Sequence, residues 1–170
     1  MADNYLENRM ADYLSGHRTG PSASRSKGRA MFRYAPHPIL VVGADCAAGR
    51  EIVKILAATG SVVAFTAGSE ASGRAVAHDC GGRFYPLTAA EAAADMMRRG
   101  EKPAVVVMFG DWVPEVEAPM VLTVAGSDTA VREALPCEVI LRGDDAVQLA
   151  RLALVLTAEG STVRGQTIVL

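Results

Sequence analysis

The seven residues from Gly43 to Gly49, GADCAAG, are the stretch of this sequence best placed to do chemistry. They lie between a continuous apolar run, Ile39 to Val42, and an amphipathic segment with Ile52, Val53, Ile55 and Leu56 on helical spacing. A glycine turn leading from a strand into a helix gathers backbone N–H groups and the positive end of the helix dipole, and such a place attracts phosphate. Asp45 and Ala47 work against this, by charge and by bulk. Cys46 falls beside the expected helix start, where a thiol can have a lowered pKa; the plainer reading is a small filler residue. The other candidates are thin. His17, His37 and His78 are scattered, and Cys46, Cys80 and Cys137 have no CxxC spacing, so neither a metal site nor a disulfide framework is expected. Asp144 and Asp145 sit where a helix is expected to start, and acids there favour the dipole. A serine takes a substrate proton only with an activating base, so Ser127 is expected to be a helix N-cap.

The elements that must position this turn follow from the apolar runs and the glycines. Gly60 stops the first helical segment and Ser61 to Phe65 forms a second apolar run, which makes strand, turn, helix and strand a βαβ unit. The spacing then predicts a helix over Glu70 to His78, a strand over Arg83 to Leu87, and a helix over Ala89 to Arg99 capped by Thr88 with Glu91 three residues on. Strands are predicted at Ala104 to Phe109, Met120 to Val124, Cys137 to Leu141 and Gln166 to Leu170. A short helix is predicted at Asp128 to Leu135. A longer one covers Asp144 to Ala158, with Val147, Leu149, Leu152, Ala153 and Val155 as its apolar face and Gly160 closing it. Continuous rather than alternating apolar strands point to a sheet covered on both faces. The fold class is therefore α/β: a doubly wound, mostly parallel, Rossmann-like sheet of about seven strands. Residues 1–36 read as an N-terminal helix, Ala2 to Leu14, and a flexible basic Gly/Ser arm; residues 37–170 form the Rossmann-like domain.

Composition excludes several roles. A net charge of −2 and an aromatic content of 5% give no footprint for nucleic acid or an anionic membrane. No apolar run approaches the roughly 20 residues needed to cross a bilayer, and the charged N-terminus does not read as a secretory signal. Three separated cysteines suit a reducing cytoplasm.

The chain resembles the short-chain dehydrogenases/reductases. Gly43-Ala44-Asp45-Cys46-Ala47-Ala48-Gly49 is similar to that family's T-G-x-x-x-G-x-G loop, with Ala47 at the middle glycine. Cys80 to Leu87 is similar to its third strand and approach, Pro103 to Gly110 to its fourth strand and N-N-A-G, and Ala146 to Leu170 to its last helix, loop and strand. The resemblance implies NAD(P) as the candidate cofactor, held by Gly43, Asp45, Cys46, Ala47, Gly49, Ala67, Phe109 and Gly110. No metal is implied. It also implies a homo-oligomer, or a hetero-oligomer with an active paralogue, because the retained last helix and strand often pair subunits in that family. The departures are specific. The family's catalytic Tyr-x-x-x-Lys follows its fifth strand, whereas here the tyrosines are Tyr5, Tyr13, Tyr34 and Tyr85 and the lysines Lys27, Lys54 and Lys102. The missing length falls between Gly110 and Gly143, which leaves one sheet face under-covered. Ala67 stands where a ribose acid is common, Thr88 where an adenine-side Asp is common, and Val107 and Met108 at the two asparagines. Trp112, the only Trp, is expected to plug the cofactor cleft or anchor a partner. The expected function is a catalytically degenerate relative acting as a binding or oligomerisation module, with nucleotide binding retained as an option. The alternative is an NAD(P)-dependent oxidoreductase with an atypical site.

Overall fold

The computed structural model describes residues 34–110, 116–130, 132–158 and 161–170. The expected N-terminal helix and arm, Trp112 and Gly160 lie outside the described residues.

Seven strands form one sheet: β1 (Ile39–Val41), β2 (Val63–Phe65), β3 (Arg83–Phe84), β4 (Val105–Phe109), β5 (Met120–Ala125), β6 (Glu138–Arg142) and β7 (Gln166–Val169). Their order is β3-β2-β1-β4-β5-β6-β7, and every neighbouring pair is parallel. Among the described residues four helices join them: α1 (Ala47–Ala57), α2 (Glu70–Cys80), α3 (Ala89–Arg98) and α4 (Ala146–Leu156). The chain leaves β1 to one side through α1 and returns to its other side at β4, so the carboxyl ends of β1 and β4 flank the point where ligands bind in open α/β sheets.

Local chemistry sets the boundaries. Gly43, at φ +77°, ends β1 in a conformation that L side chains rarely adopt. Ser69 opens α2 with a reciprocal capping box to Ser72, and Thr88 opens α3 with the one expected to Glu91. Thr88→Ala should lower stability by about 1 kcal/mol, read as a shift in urea midpoint at constant slope. The third strand is shorter than RFYPL suggests: its last bond to β2 is from the Tyr85 N–H to the Phe65 carbonyl at 2.8 Å, just before Pro86.

Two helices depart from expectation. Residues 126–130 turn on a Thr129 N–H to Gly126 O bond of 3.1 Å, and no helix follows among the described residues to 136. Ser127 therefore caps nothing. Helix α4 buries Leu149, Ala150, Ala153, Leu154 and Leu156, while Val147 and Val155 are 46% and 48% exposed. Its sequence, AVQLARLALVL, is apolar nearly all round, so spacing alone did not decide which stripe faces the sheet.

The first face of the sheet is covered by α1, α2 and α4, with Ile52, Val53, Leu56, Val76, Leu149 and Ala153 in one core with β1, β4, β5 and β6. The β1-α1-β2 and β6-α4-β7 units run in opposite directions along the sheet with both helices on this face, so their crossovers have opposite hands. Parallel crossovers are almost always right-handed, and a departure of this kind marks the fold. At the amino end, Tyr34 is buried, stacks on His37 at 5.4 Å and lies 3.5 Å from the Thr157 hydroxyl.

On the second face, Ala92, Ala93 and Met96 of α3 pack on Leu40, Ala64 and Val106. The row Ala64, Leu40, Val106, Val121 and Glu138 runs across five strands in register. Beyond β4 no described helix covers this face. Val121 and Thr123 are nevertheless buried, and Val116, Ala118 and Cys137 pack there beside a groove of 350 Å³ at the amino end. Ten residues lie between β4 and β5, a parallel pair, and the described ones among them form no helix.

Candidate functional site

Because the sheet is parallel, every strand delivers its carboxyl end to one edge, and the residues singled out at Gly43, Asp45, Cys46, Ala47, Gly49, Ala67, Phe109 and Gly110 all follow or end strands there. The turn after β1 is tied to the end of β2. The Gly43 N–H donates to the Thr66 hydroxyl at 3.2 Å, and the Ala44 N–H to the Thr66 carbonyl at 2.9 Å. Thr66 is buried, and its N–H donates in turn to Val41. No motif marks this residue; its position at the end of an apolar run is the only sequence signal.

Helix α1 begins at Ala47, two residues before the expected Gly49, because Cys46 is extended and acts as N-cap. Its sulfur accepts the Gly49 N–H at 3.3 Å. Thiol sulfur is a weak acceptor, so this is a feeble cap. A lowered thiol pKa, the lesser of the two readings of Cys46, does not hold. Although Cys46 lies at the surface, desolvation within the turn pushes its thiol above the ordinary range. The Asp45 charge adds to that, and the Gly49 N–H offsets it only in part. Gly49 is buried against the turn: a Cβ there would lie 2.8 Å from the Ala44 Cα and carbonyl oxygen. Gly43, by contrast, would meet nothing within 4 Å. A cradle that is tight behind and open in front suits the approach of a phosphate to the first-turn N–H groups of α1.

Asp45 accepts two hydrogen bonds on Oδ2, from the Gly68 N–H at 3.0 Å and the Ser72 hydroxyl at 3.2 Å. Ser72 was not a sequence candidate; the Ser69-x-x-Ser72 spacing at a helix start was its signal. Ala67 is half-buried and offers no polar side chain. Val107 and Met108 are buried within β4, and Phe109 packs on the first-face core, so none of the three presents a hydrogen-bonding group. Gly110, at φ +87°, donates to Val124 at 2.8 Å and turns the chain out of β4.

Farther along the same edge, Ser127 follows β5. Its N–H donates to Asp144 Oδ1 at 3.1 Å and its hydroxyl to Oδ2 of the same carboxylate. The Ser127 hydroxyl and N–H hold the Asp144 carboxyl below its usual range. Arg142 donates to the carbonyls of Ser127 and of Thr129, the latter at 3.0 Å. Of the acidic pair, Asp145 alone caps α4, through Val147 and Gln148. Asp144 instead ties the end of β6 to that of β5. No group of three or more His, Cys, Asp or Glu able to hold a metal ion occurs among the described residues. No helix among them is long and apolar enough to cross a membrane.

No family model and no curated protein matches this sequence. Solved structures do match. BdcA (YjgI) from E. coli shares a TM-score of 0.54 at 13% identity, over 81% of this chain and 99% of that one. BdcA in complex with NADPH gives a TM-score of 0.59 at 13% identity, over 81% and 93%. A doubly substituted short-chain dehydrogenase/reductase of Serratia marcescens gives 0.58 at 15% identity, over 79% and 96%. At these identities the likeness is one of fold. The chain has the Rossmann-like, doubly wound fold of the short-chain dehydrogenases/reductases.

Proposed function

We propose that this chain is a nucleotide-binding and interaction module that keeps the phosphate turn of its fold without hydride-transfer machinery. One observation carries the reading. The turn at the switch point has the open Gly43 and the close-packed Gly49 of a phosphate cradle, whereas the described tyrosines and lysines lie elsewhere. Among the described residues, Tyr34 and Tyr85 are buried, Lys54 lies on α1 beside Glu51, and Ser127 is engaged by Asp144. NAD(P) is the proposed ligand class, supported by the fold and by the NADPH complex of BdcA. A bound dinucleotide would lie with its pyrophosphate at the start of α1.

The module is also proposed to form a homo-oligomer. Among the described residues strand β7 is an edge, with Val169 65% exposed and Leu170 49% exposed, and an apolar edge of this kind invites a second strand. Light scattering should give about twice the 17.8 kDa chain mass, and Val169→Lys should restore the monomer. A wild-type monomer at high concentration would rule this interface out. A cytoplasmic location belongs with the same reading, supported by three free cysteines.

Nucleotide binding is tested by thermal shift with NAD⁺ and NADP⁺. A ligand at ten times its Kd stabilises by about 1.4 kcal/mol, roughly 3–6 °C for a domain of this size. No shift at millimolar nucleotide would leave a plain interaction module. Turnover of nicotinamide absorbance with any alcohol or carbonyl would instead support the oxidoreductase alternative.

A further inference from the structure

Asp45 belongs to the turn after β1, yet its carboxylate reaches across to the segment after β2. Oδ2 is held by the Gly68 N–H and by the hydroxyl of Ser72, at the third position of α2. In dinucleotide-binding sheets this is where an acid receives the adenosine ribose hydroxyls, and that acid ordinarily comes from the end of the second strand. Here Ala67, Gly68 and Ser69 offer none. Both bonds to Asp45 fall on Oδ2; among the described residues Oδ1 has no partner, and the residue is half-exposed.

We propose that Asp45 supplies the ribose acid from the opposite side of the cleft, so that the site takes NAD(H) or another adenosine nucleotide with a free 2′-hydroxyl and rejects 2′-phosphorylated NADP(H). The inference rests on the nucleotide-binding reading above and adds its specificity. The Gly68 N–H holds the carboxylate beside the end of β2, and two anions at contact distance there repel. The one guanidinium on α2, Arg74, is paired with Glu70 one helical turn away, at 2.5 Å. The site would then differ from that of BdcA, which was solved with NADPH.

Calorimetric titration of the wild type, Asp45→Asn and Asp45→Ala with NAD⁺, NADP⁺, 5′-AMP and 2′,5′-ADP tests this. The two mononucleotides read the adenosine half alone. The wild type should favour NAD⁺ and 5′-AMP over their 2′-phosphorylated counterparts by about 10- to 100-fold, the worth of a charge-assisted hydrogen bond. Asp45→Ala should weaken NAD⁺ by a similar factor. Asp45→Asn keeps an acceptor for Gly68 and should lose most of the discrimination while melting near the wild-type temperature. Equal wild-type affinity for both dinucleotides would overturn the specificity and leave the binding reading standing. Tighter NAD⁺ binding by Asp45→Ala would show that the carboxylate obstructs the site, and would also overturn it. If no probe binds any of the three proteins, the nucleotide-binding reading fails and this inference fails with it.

Discussion

Replacing Arg132 by methionine is expected to destabilise the protein by about 3–5 kcal/mol at neutral pH, because it strands a buried carboxylate. Glu138 opens β6 and is 0% exposed. Its carboxylate accepts from the Arg132 guanidinium at 2.6 and 2.8 Å, from the Leu135 N–H at 2.9 Å and from the Thr123 hydroxyl at 2.5 Å. Burial works against the charged form. The guanidinium, the N–H and the hydroxyl together outweigh it and hold the Glu138 carboxyl below its ordinary range. A group whose folded pKa lies below its unfolded one stabilises fully above the unfolded value, about 4.3 for Glu, and loses that contribution as pH falls through the folded value. In Arg132→Met the order reverses: with only neutral donors left, burial prevails and raises the carboxyl pKa. The deficit should therefore be largest at neutral pH and shrink toward about pH 5 as Glu138 takes up a proton. Urea unfolding at the two pH values measures it. A deficit below about 1 kcal/mol, or one that does not change with pH, would contradict the assignment of a buried ion pair. Combining Arg132→Met with Glu138→Leu should recover much of the loss, since an apolar pair of similar volume needs no desolvation. The bond matters to the site because it pins the β5–β6 crossover, the segment that also carries Ser127, against the second face of the sheet.

Gly49→Ala is expected to cost about 1–3 kcal/mol net. On helix propensity alone alanine would gain about 1 kcal/mol over glycine. The sign is decided by the contact: the new Cβ would lie 2.8 Å from Ala44 Cα and carbonyl oxygen and 2.9 Å from its carbonyl carbon. These are backbone atoms of the turn, itself bonded to Thr66, so no side chain can step aside. Relief requires α1 to move off the turn, and nucleotide affinity should fall along with stability. Urea unfolding and the thermal-shift titration read the two losses. An alanine variant as stable as the wild type would mean that α1 does not approach the turn this closely.

Much of the architecture was legible because one physical signal dominated each boundary. Continuous apolar runs broken by glycines gave seven parallel strands, and T-A-A-E at Thr88 to Glu91 gave a capping box that the structure contains. Signals failed where the deciding partner is distant in sequence. Ser127 looked like a cap, but its partner is Asp144, 17 residues away. The bonds of Asp45 to Gly68 and Ser72, 23 and 27 residues away, carried no sequence signal either. Glu138 gave no sign, within CEVIL, that it is buried and ion-paired with a residue in the preceding loop. The apolar face of α4 failed for a different reason: a helix apolar nearly all round does not encode its own rotation. The opposite hands of the two first-face crossovers have no sequence signature at all.

The most direct test is a crystal grown with saturating NAD⁺. The expected result is density for the dinucleotide between Gly43, Ala67 and Phe109, with its pyrophosphate at the start of α1 and a ribose hydroxyl on Asp45. An edge free of nucleotide at saturation, or nucleotide bound only elsewhere on the molecule, would contradict the claim that this turn still binds one.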